Sequence, residues 1–208
     1  MSATADWLLS SNYGTGEIDV FPLGLDGTIG PLYDTVPPGA FTPGPHPAQD
    51  GPHAHSTLVL GDTVLAADLG RDTVGVHCFV GGHPTPVRSI GLPPGTGPRD
   101  FAIGPDWRVF VLGELSGAIL ELGCLDSDTP VIVRSGQSTR SPVAGDHAAG
   151  LVVSLDGRRL YTGLRGSNRI AVVNLDDITP SRMSIAAATG RATSRSTAPT
   201  SWWRASGR

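Results

Sequence analysis

One pattern returns along this chain at an interval near fifty residues. An apolar strand, a tight Asp or Gly turn, a second strand, a polar loop and a third strand follow one another. The step from second to third strand reads WLLSSNYGTGEIDVFPL at 7–23, VLAADLGRDTVGVHCF at 64–79, VFVLGELSGAILEL at 109–122 and LYTGLRGSNRIAVVNL at 160–175. The first apolar residues of the third strands, Ile18, Val74, Ile119 and Ile170, lie 56, 45 and 51 positions apart. Several short β-runs per repeat, with no amphipathic helical stretch between them, form the pattern of propeller blades. Helical solenoids are excluded, leucine-rich repeats are shorter, and an immunoglobulin-like sandwich would not return the same loop chemistry so regularly. The expected fold is all-β, a β-propeller of four-stranded antiparallel blades, with four blade-like units over residues 1–180.

Composition agrees with a chain full of turns. Glycine (28) and proline (18) are abundant among 208 residues, while charged residues reach only 16%. The proline-rich segments 36–52 and 84–98 are expected as connections between blades. Residues 181–208 break the repeat with Ser, Thr, Arg and Ala and read as an irregular tail. With G/C-rich codons, a reading frame shifted from Ala188 onward can encode DWPRDFALDGPDFVVAGERA, which echoes the in-frame Pro98-Arg99-Asp100-Phe101-Ala102-Ile103. A frameshift over the start of another blade is the expectation this carries.

Charge and residue usage remove whole classes of chemistry. The chain has no lysine, so Schiff-base and P-loop lysine mechanisms are excluded. Five of the fifteen arginines and none of the nineteen acidic residues lie in 181–208, so residues 1–180 carry a net charge of −9 within an overall −4. A nucleic-acid partner is not expected on such a surface. No apolar run nears the ~20 residues of a membrane helix and no secretory signal precedes the repeats, so no membrane partner and a cytoplasmic location are expected. Cys78 and Cys124 are too few and too distant for a thiolate metal site and are assigned to packing.

In a blade the innermost strand lines a central channel, and loops at one end make the ligand face. Three segments lead into inner strands: Gly51-Pro52-His53-Ala54-His55, Gly97-Pro98-Arg99-Asp100 and Gly145-Asp146-His147. His55 and Arg99 each stand seven residues before a turn aspartate, Asp62 or Asp106, and should face one another. Glu114 and Arg165 each stand five before Ile119 or Ile170, where a second strand enters a loop. An imidazole, two permanent cations and a carboxylate from three consecutive blades thus converge. Such a set can polarise a carbonyl, hold an anion and move a proton. Glu114 is one of three glutamates and sits in an apolar stretch, where a carboxylate needs a partner or a function.

Blander readings compete at each position. His53 and His55 could share a zinc ion, but no third ligand follows at a recognisable spacing. His53 could bond a backbone carbonyl across the channel, and Arg99 with Asp100 could be an ordinary ion pair. His46, His77, His83 and His147 are assigned to surface or turn positions, and Arg158-Arg159 to solvent. The loop NYGTGE at 12–17 has cradle-like glycines but precedes a strand, which is weak evidence for nucleotide binding.

The strings NYGTGEIDVFPL, GPHAHS, LPPGTGPRDFAI, GELSGAI and SLDGRRLYTGLRGSNRIAVV together resemble the lactonase family of seven-bladed β-propellers, over about residues 7–180. The family includes a 6-phosphogluconolactonase type and a 3-carboxy-cis,cis-muconate cyclase type. The resemblance implies about four of seven blades, with the chain starting inside an early blade and stopping near the middle of the ring. It puts the family's active-site histidine on His55 or His53, and its arginine, glutamate and second arginine on Arg99, Glu114 and Arg165. Asp100 stands where a histidine is frequent, and Gly113 where an asparagine often precedes the glutamate.

The expected activity is hydrolysis of an anionic sugar lactone such as 6-phosphogluconolactone, with no metal and no cofactor. His53, Arg99 and Arg165 would bind the substrate and Glu114 or His55 would activate water. The alternatives are a cyclase acting on a muconolactone and an inactive propeller fragment, whose open strand edges would invite self-association.

Overall fold

Strand by strand, the alternation of side chains shows how the sheets stack. In the strand 109–113, Val109 and Val111 face one neighbouring sheet while Phe110 and Leu112 face the other. In the strand 63–68, Val64 and Ala66 face one way and Leu65 and Ala67 the other. Strands covered on both faces read as continuous apolar runs, which is why these stretches dominate the repeat.

The structure, a computed structural model, describes residues 1–4 and 6–185, with side chains described up to Ser181. Four antiparallel four-stranded sheets follow in chain order. The first is β1 (Ser2–Ala3), β2 (Trp7–Ser11), β3 (Ile18–Pro22) and β4 (Asp34–Val36); the second is β5 (Ala54–Leu60), β6 (Thr63–Asp68), β7 (Thr73–Val80) and β8 (His83–Gly91). The third is β9 (Pro98–Ile103), β10 (Val109–Gly113), β11 (Ala118–Gly123) and β12 (Val131–Gln137); the fourth is β13 (Ala148–Val153), β14 (Arg159–Leu164), β15 (Arg169–Asn174) and β16 (Thr179–Ile185). A 3₁₀ turn, Pro105–Trp107, links β9 to β10.

Each sheet is a meander, and the three hydrophobic cores lie between consecutive sheets. Leu9, Val20 and Val36 meet Val64 and Phe79 between the first two. Val74, Val76 and Ile90 meet Val111 and Leu120 between the next two. Phe110 and Ile119 meet Leu160, Val173 and Ile178 between the last two. The first strands β5, β9 and β13 run as neighbours, so their entry ends gather at one place. This is the β-propeller architecture expected from the repeat, with four blades among the described residues.

Several local expectations are corrected. Segment 84–98 is not only a connection, because residues 84–91 belong to β8, whose prolines Pro84 and Pro86 are tolerated on an outer edge strand. The fourth sheet does not stop at residue 180, since β16 pairs with β15 from Asn174↔Thr179 to Arg169↔Ile185. Cys78 and Cys124 are exposed instead of packed: Cys78 takes an outward pleat position in β7, and Cys124 a turn position after β11. His77 is buried, because β7 is covered on both faces there. The frameshift reading from Ala188 onward falls outside the described residues. Among those residues no helix is long and apolar enough to cross a membrane.

Candidate functional site

The inner strands are not regular, and their irregularity aims the side chains. Pairing of β5 with β6 skips between Ala54 and Ser56, and pairing of β9 with β10 steps from Asp100 to Pro98. His55 and Arg99 are the residues passed over. A bulge turns its extra residue out of the ladder and re-aims it. The fourth sheet has the same device between Ala149 and Leu151, where the extra residue is Gly150 at φ +69°. That glycine adds no side chain to the channel.

Backbone bonds brace the entry of each inner strand. Leu69 N donates to His53 O (2.9 Å), Glu114 N to Gly97 O (2.7 Å) and Arg165 N to His147 O (3.0 Å). Each bond fixes the residue after a second strand to the residue before a first strand. Ala148 N also donates to Glu114 O (3.0 Å), which ties the third sheet to the fourth at this level. Carboxylates secure the loops: Asp68 accepts from His53 N, and Asp72 from Gly95 N and Gly97 N. Asp100, whose pKa burial raises, accepts from Leu151 N (2.9 Å) and Phe101 N (3.0 Å). It is therefore a bridge between sheets, not the ion partner of Arg99.

Four side chains singled out in the sequence come together on one carboxylate. Glu114 is 9% exposed; Arg99 Nη1 donates to its Oε2 and Arg165 Nη2 to its Oε1. Arg99 Nη1 also donates to His55 Nε2 at 2.8 Å, and that nitrogen lies 3.8 Å from Glu114 Oε2. Burial alone would raise the Glu114 pKa, yet the bonded Arg99 and the nearby Arg165 hold it below the usual range. Burial, then the Arg99 charge, lower His55 to a pKa of about 4. His55 is neutral at pH 7 and presents a lone pair, not a proton, to the arginine.

His53 stands slightly apart. Its ring stacks on Tyr13 with centroids 4.4 Å apart, its Nδ1 faces Tyr13 O (2.8 Å) and its Nε2 faces Asp50 (2.9 Å). Burial would lower its pKa, but these two contacts leave it raised. His53 and His55 do not converge on a shared point, since His55 turns to Arg99 while Tyr13 meets it edge-on at 5.7 Å.

Sequence reasoning missed two neighbours. His147 Nδ1 lies 3.3 Å from Glu114 Oε1, and the side chain is 39% exposed. His147 occupies the position of His53 one residue before an inner strand, a register signal present in HAHS and HAAG. His46, in the proline-rich loop after β4, meets the His147 ring edge-on at 6.3 Å. That loop is anchored by Gln49 Nε2 to Leu69 O and by Arg71 Nε to Ala40 O.

An open cavity of about 230 Å³ is lined by Glu114, His147 and Arg165. A larger one of about 340 Å³ lies between the first two sheets, near Ile18, Val36, Ala66 and Gly75, away from the arginines on Glu114. The chemistry favours the smaller space. A second arginine–glutamate cluster shows why: Glu121 is held by Arg108 (2.8 and 2.9 Å) and Arg134 (2.9 Å), and no histidine is among its partners in the described residues. That cluster is structural. Around Glu114 the same ion pairing is joined by imidazoles and faces open space.

Comparison with known proteins agrees with this architecture. The family described as "Lactonase, 7-bladed beta-propeller" matches residues 1–194. A 6-phosphogluconolactonase of Bacillus subtilis (strain 168) is 30% identical over 179 residues, which is 82% of this chain and 50% of that protein. The solved structure of a protein from Lactobacillus plantarum superimposes with a TM-score of 0.79 at 30% identity, over 89% of this chain and 56% of that one. The periplasmic gluconolactonase of Pseudomonas aeruginosa gives 0.73 at 23% identity, over 86% and 54%, and shows the fold alone. The chain spans about half the length of the curated relatives it matches.

Proposed function

The chain belongs to the lactonase family of seven-bladed β-propellers, and from that premise we propose that it hydrolyses a sugar lactone bearing an anionic group, with 6-phosphogluconolactone as the foremost substrate and the cytoplasm as its place of action. The observation that carries this reading is Glu114, clamped by Arg99 and Arg165 beside an open cavity. A single carboxylate between two arginines leaves one positive charge in excess, which suits an anion.

Arg165, with a side chain 46% exposed, keeps guanidinium N–H groups free of Glu114 for substrate. Arg99 reaches His55 and Glu114 through the same Nη1 and has further donors for an oxyanion. As water adds to the lactone carbonyl, negative charge grows on the carbonyl oxygen, and donors fixed in place stabilise it without reorganising. Glu114 sets the direction of both guanidinium groups. Two cations supply the polarisation a metal would otherwise give, so the reaction is assigned no metal.

Acid release from a panel of lactones tests the reading: 6-phosphogluconolactone, unphosphorylated gluconolactone and a carboxymuconolactone, each against its uncatalysed rate. The expected result is fastest turnover of the phosphorylated sugar lactone, unaltered by EDTA. Hydrolysis of none of the three would refute the assignment, and preference for the muconolactone would redirect it to the cyclase type.

A further inference from the structure

Hydrolysis needs a group to take a proton from water, and the geometry leaves the expected candidates badly placed. Both Glu114 oxygens are engaged by guanidinium groups, and the arginines make it a weaker base than an ordinary carboxylate. His55 has its Nε2 lone pair directed at Arg99. His147 differs from both. Its Nδ1 is buried, has no hydrogen-bond partner, and lies 3.3 Å from Glu114 Oε1, while much of the ring opens on the cavity it shares with Arg165.

We propose that His147 is the general base of the hydrolysis, its Nδ1–H turned toward Glu114 and its Nε2 receiving the proton of the attacking water. The inference rests on the lactonase reading of the same cavity. A carboxylate beside one imidazole nitrogen selects the tautomer that leaves a lone pair on the other, and it stabilises the imidazolium once formed. The groups around His147 fit this role. Arg165 N bonds its carbonyl, His46 meets the ring edge with Nδ1 already accepting from Ala48 N (3.1 Å), and Asp146 is held by Ser167 and Arg169. Glu114 is thus the carboxylate available to the ring.

In the step itself, the water oxygen bonds to the lactone carbonyl carbon as one water proton passes to His147 Nε2. The carbonyl π pair moves to oxygen, facing the guanidinium donors. On collapse that pair re-forms the carbonyl, the bond from acyl carbon to ring oxygen breaks, and Nε2 returns its proton to the ring oxygen. One lactone and one water give one hydroxy acid, which then ionises.

His147→Gln, His147→Ala with added imidazole, and Glu114→Gln test the assignment, with circular dichroism to establish that each variant folds. Loss of a general base lowers turnover by about 10²- to 10⁴-fold. For His147→Gln we expect that loss in kcat with KM little changed, and partial recovery of His147→Ala in imidazole. Turnover within a few-fold of the parent, or no recovery of His147→Ala in imidazole, overturns the proposal. Nitrogen-15 spectra of the full chain give a readout separate from activity. The Nδ1–H tautomer of His147 in the parent, its bias lost in Glu114→Gln, supports the pairing; an Nε2–H tautomer in the parent overturns it. A parent that shows the tautomer yet opens no lactone keeps the pairing and sinks the substrate reading instead.

Discussion

His55 gives this architecture a measurable dependence on pH. In the folded chain its pKa falls from 6.5 to about 4, chiefly by burial and then by the Arg99 charge. Between those values the unfolded chain binds a proton that the folded chain refuses. The stability from a neutral His55 is therefore complete above about pH 6.5 and drains away as pH falls toward 4. The full shift corresponds to ~3 kcal/mol, of which about 2 kcal/mol is lost between pH 7 and pH 5. Other groups also titrate in that range, so the quantity to measure is the difference between parent and His55→Gln. Gln cannot be protonated, and its amide oxygen can still accept from Arg99. Urea unfolding of both proteins at half-unit pH steps should show the parent losing about 2 kcal/mol more than the variant by pH 5. Parallel stability curves would refute the reasoning, because His55 would then titrate alike in both states.

Other perturbations read different parts of the structure. Phe110→Ala removes a fully buried ring between the third and fourth sheets and should cost about 3–5 kcal/mol in denaturant unfolding. Gly70→Ala would place a Cβ 1.7 Å from Gly51 O, a backbone atom where the chain approaches β5; a markedly lower melting temperature is expected. Glu114→Gln removes the charge that offsets Arg99 and Arg165 and should lower stability by ~1–3 kcal/mol, less than a fully buried pair because Arg165 is half exposed. Val152 and Ile170 lie exposed on the face of the fourth sheet opposite its core. Sedimentation should show association that weakens in Ile170→Lys; a parent that stays monomeric at every concentration contradicts this.

The apolar inner and middle strands of each sheet were plain in the sequence. Ile18, Val74, Ile119 and Ile170 all fall within the first two residues of β3, β7, β11 and β15. The outer strands were harder to see. β12 is exposed over much of its length and β8 carries two prolines, so neither shows apolar alternation. The meeting of His55, Arg99, Glu114 and Arg165 followed from repeat phase, since equivalent positions gather where inner strands do. His147 escaped because it precedes its strand while His55 and Arg99 lie on bulges within theirs. Its equivalence to His53 lies in the HAHS and HAAG registers, and the matching backbone bonds to the two carbonyls bear it out. The role of Asp100 was hidden for a related reason: it depends on Leu151 N, a partner fifty-one residues away on the next sheet.

Binding of 6-phosphogluconate, the ring-opened form of the proposed substrate, measured by isothermal titration to the parent, Arg99→Met, Arg165→Met and the double variant, tests most directly whether successive blades build one anion site. Saturable binding by the parent, weakened at least tenfold by either substitution and abolished by both together, is the predicted result. Equal affinity in all four proteins would contradict it.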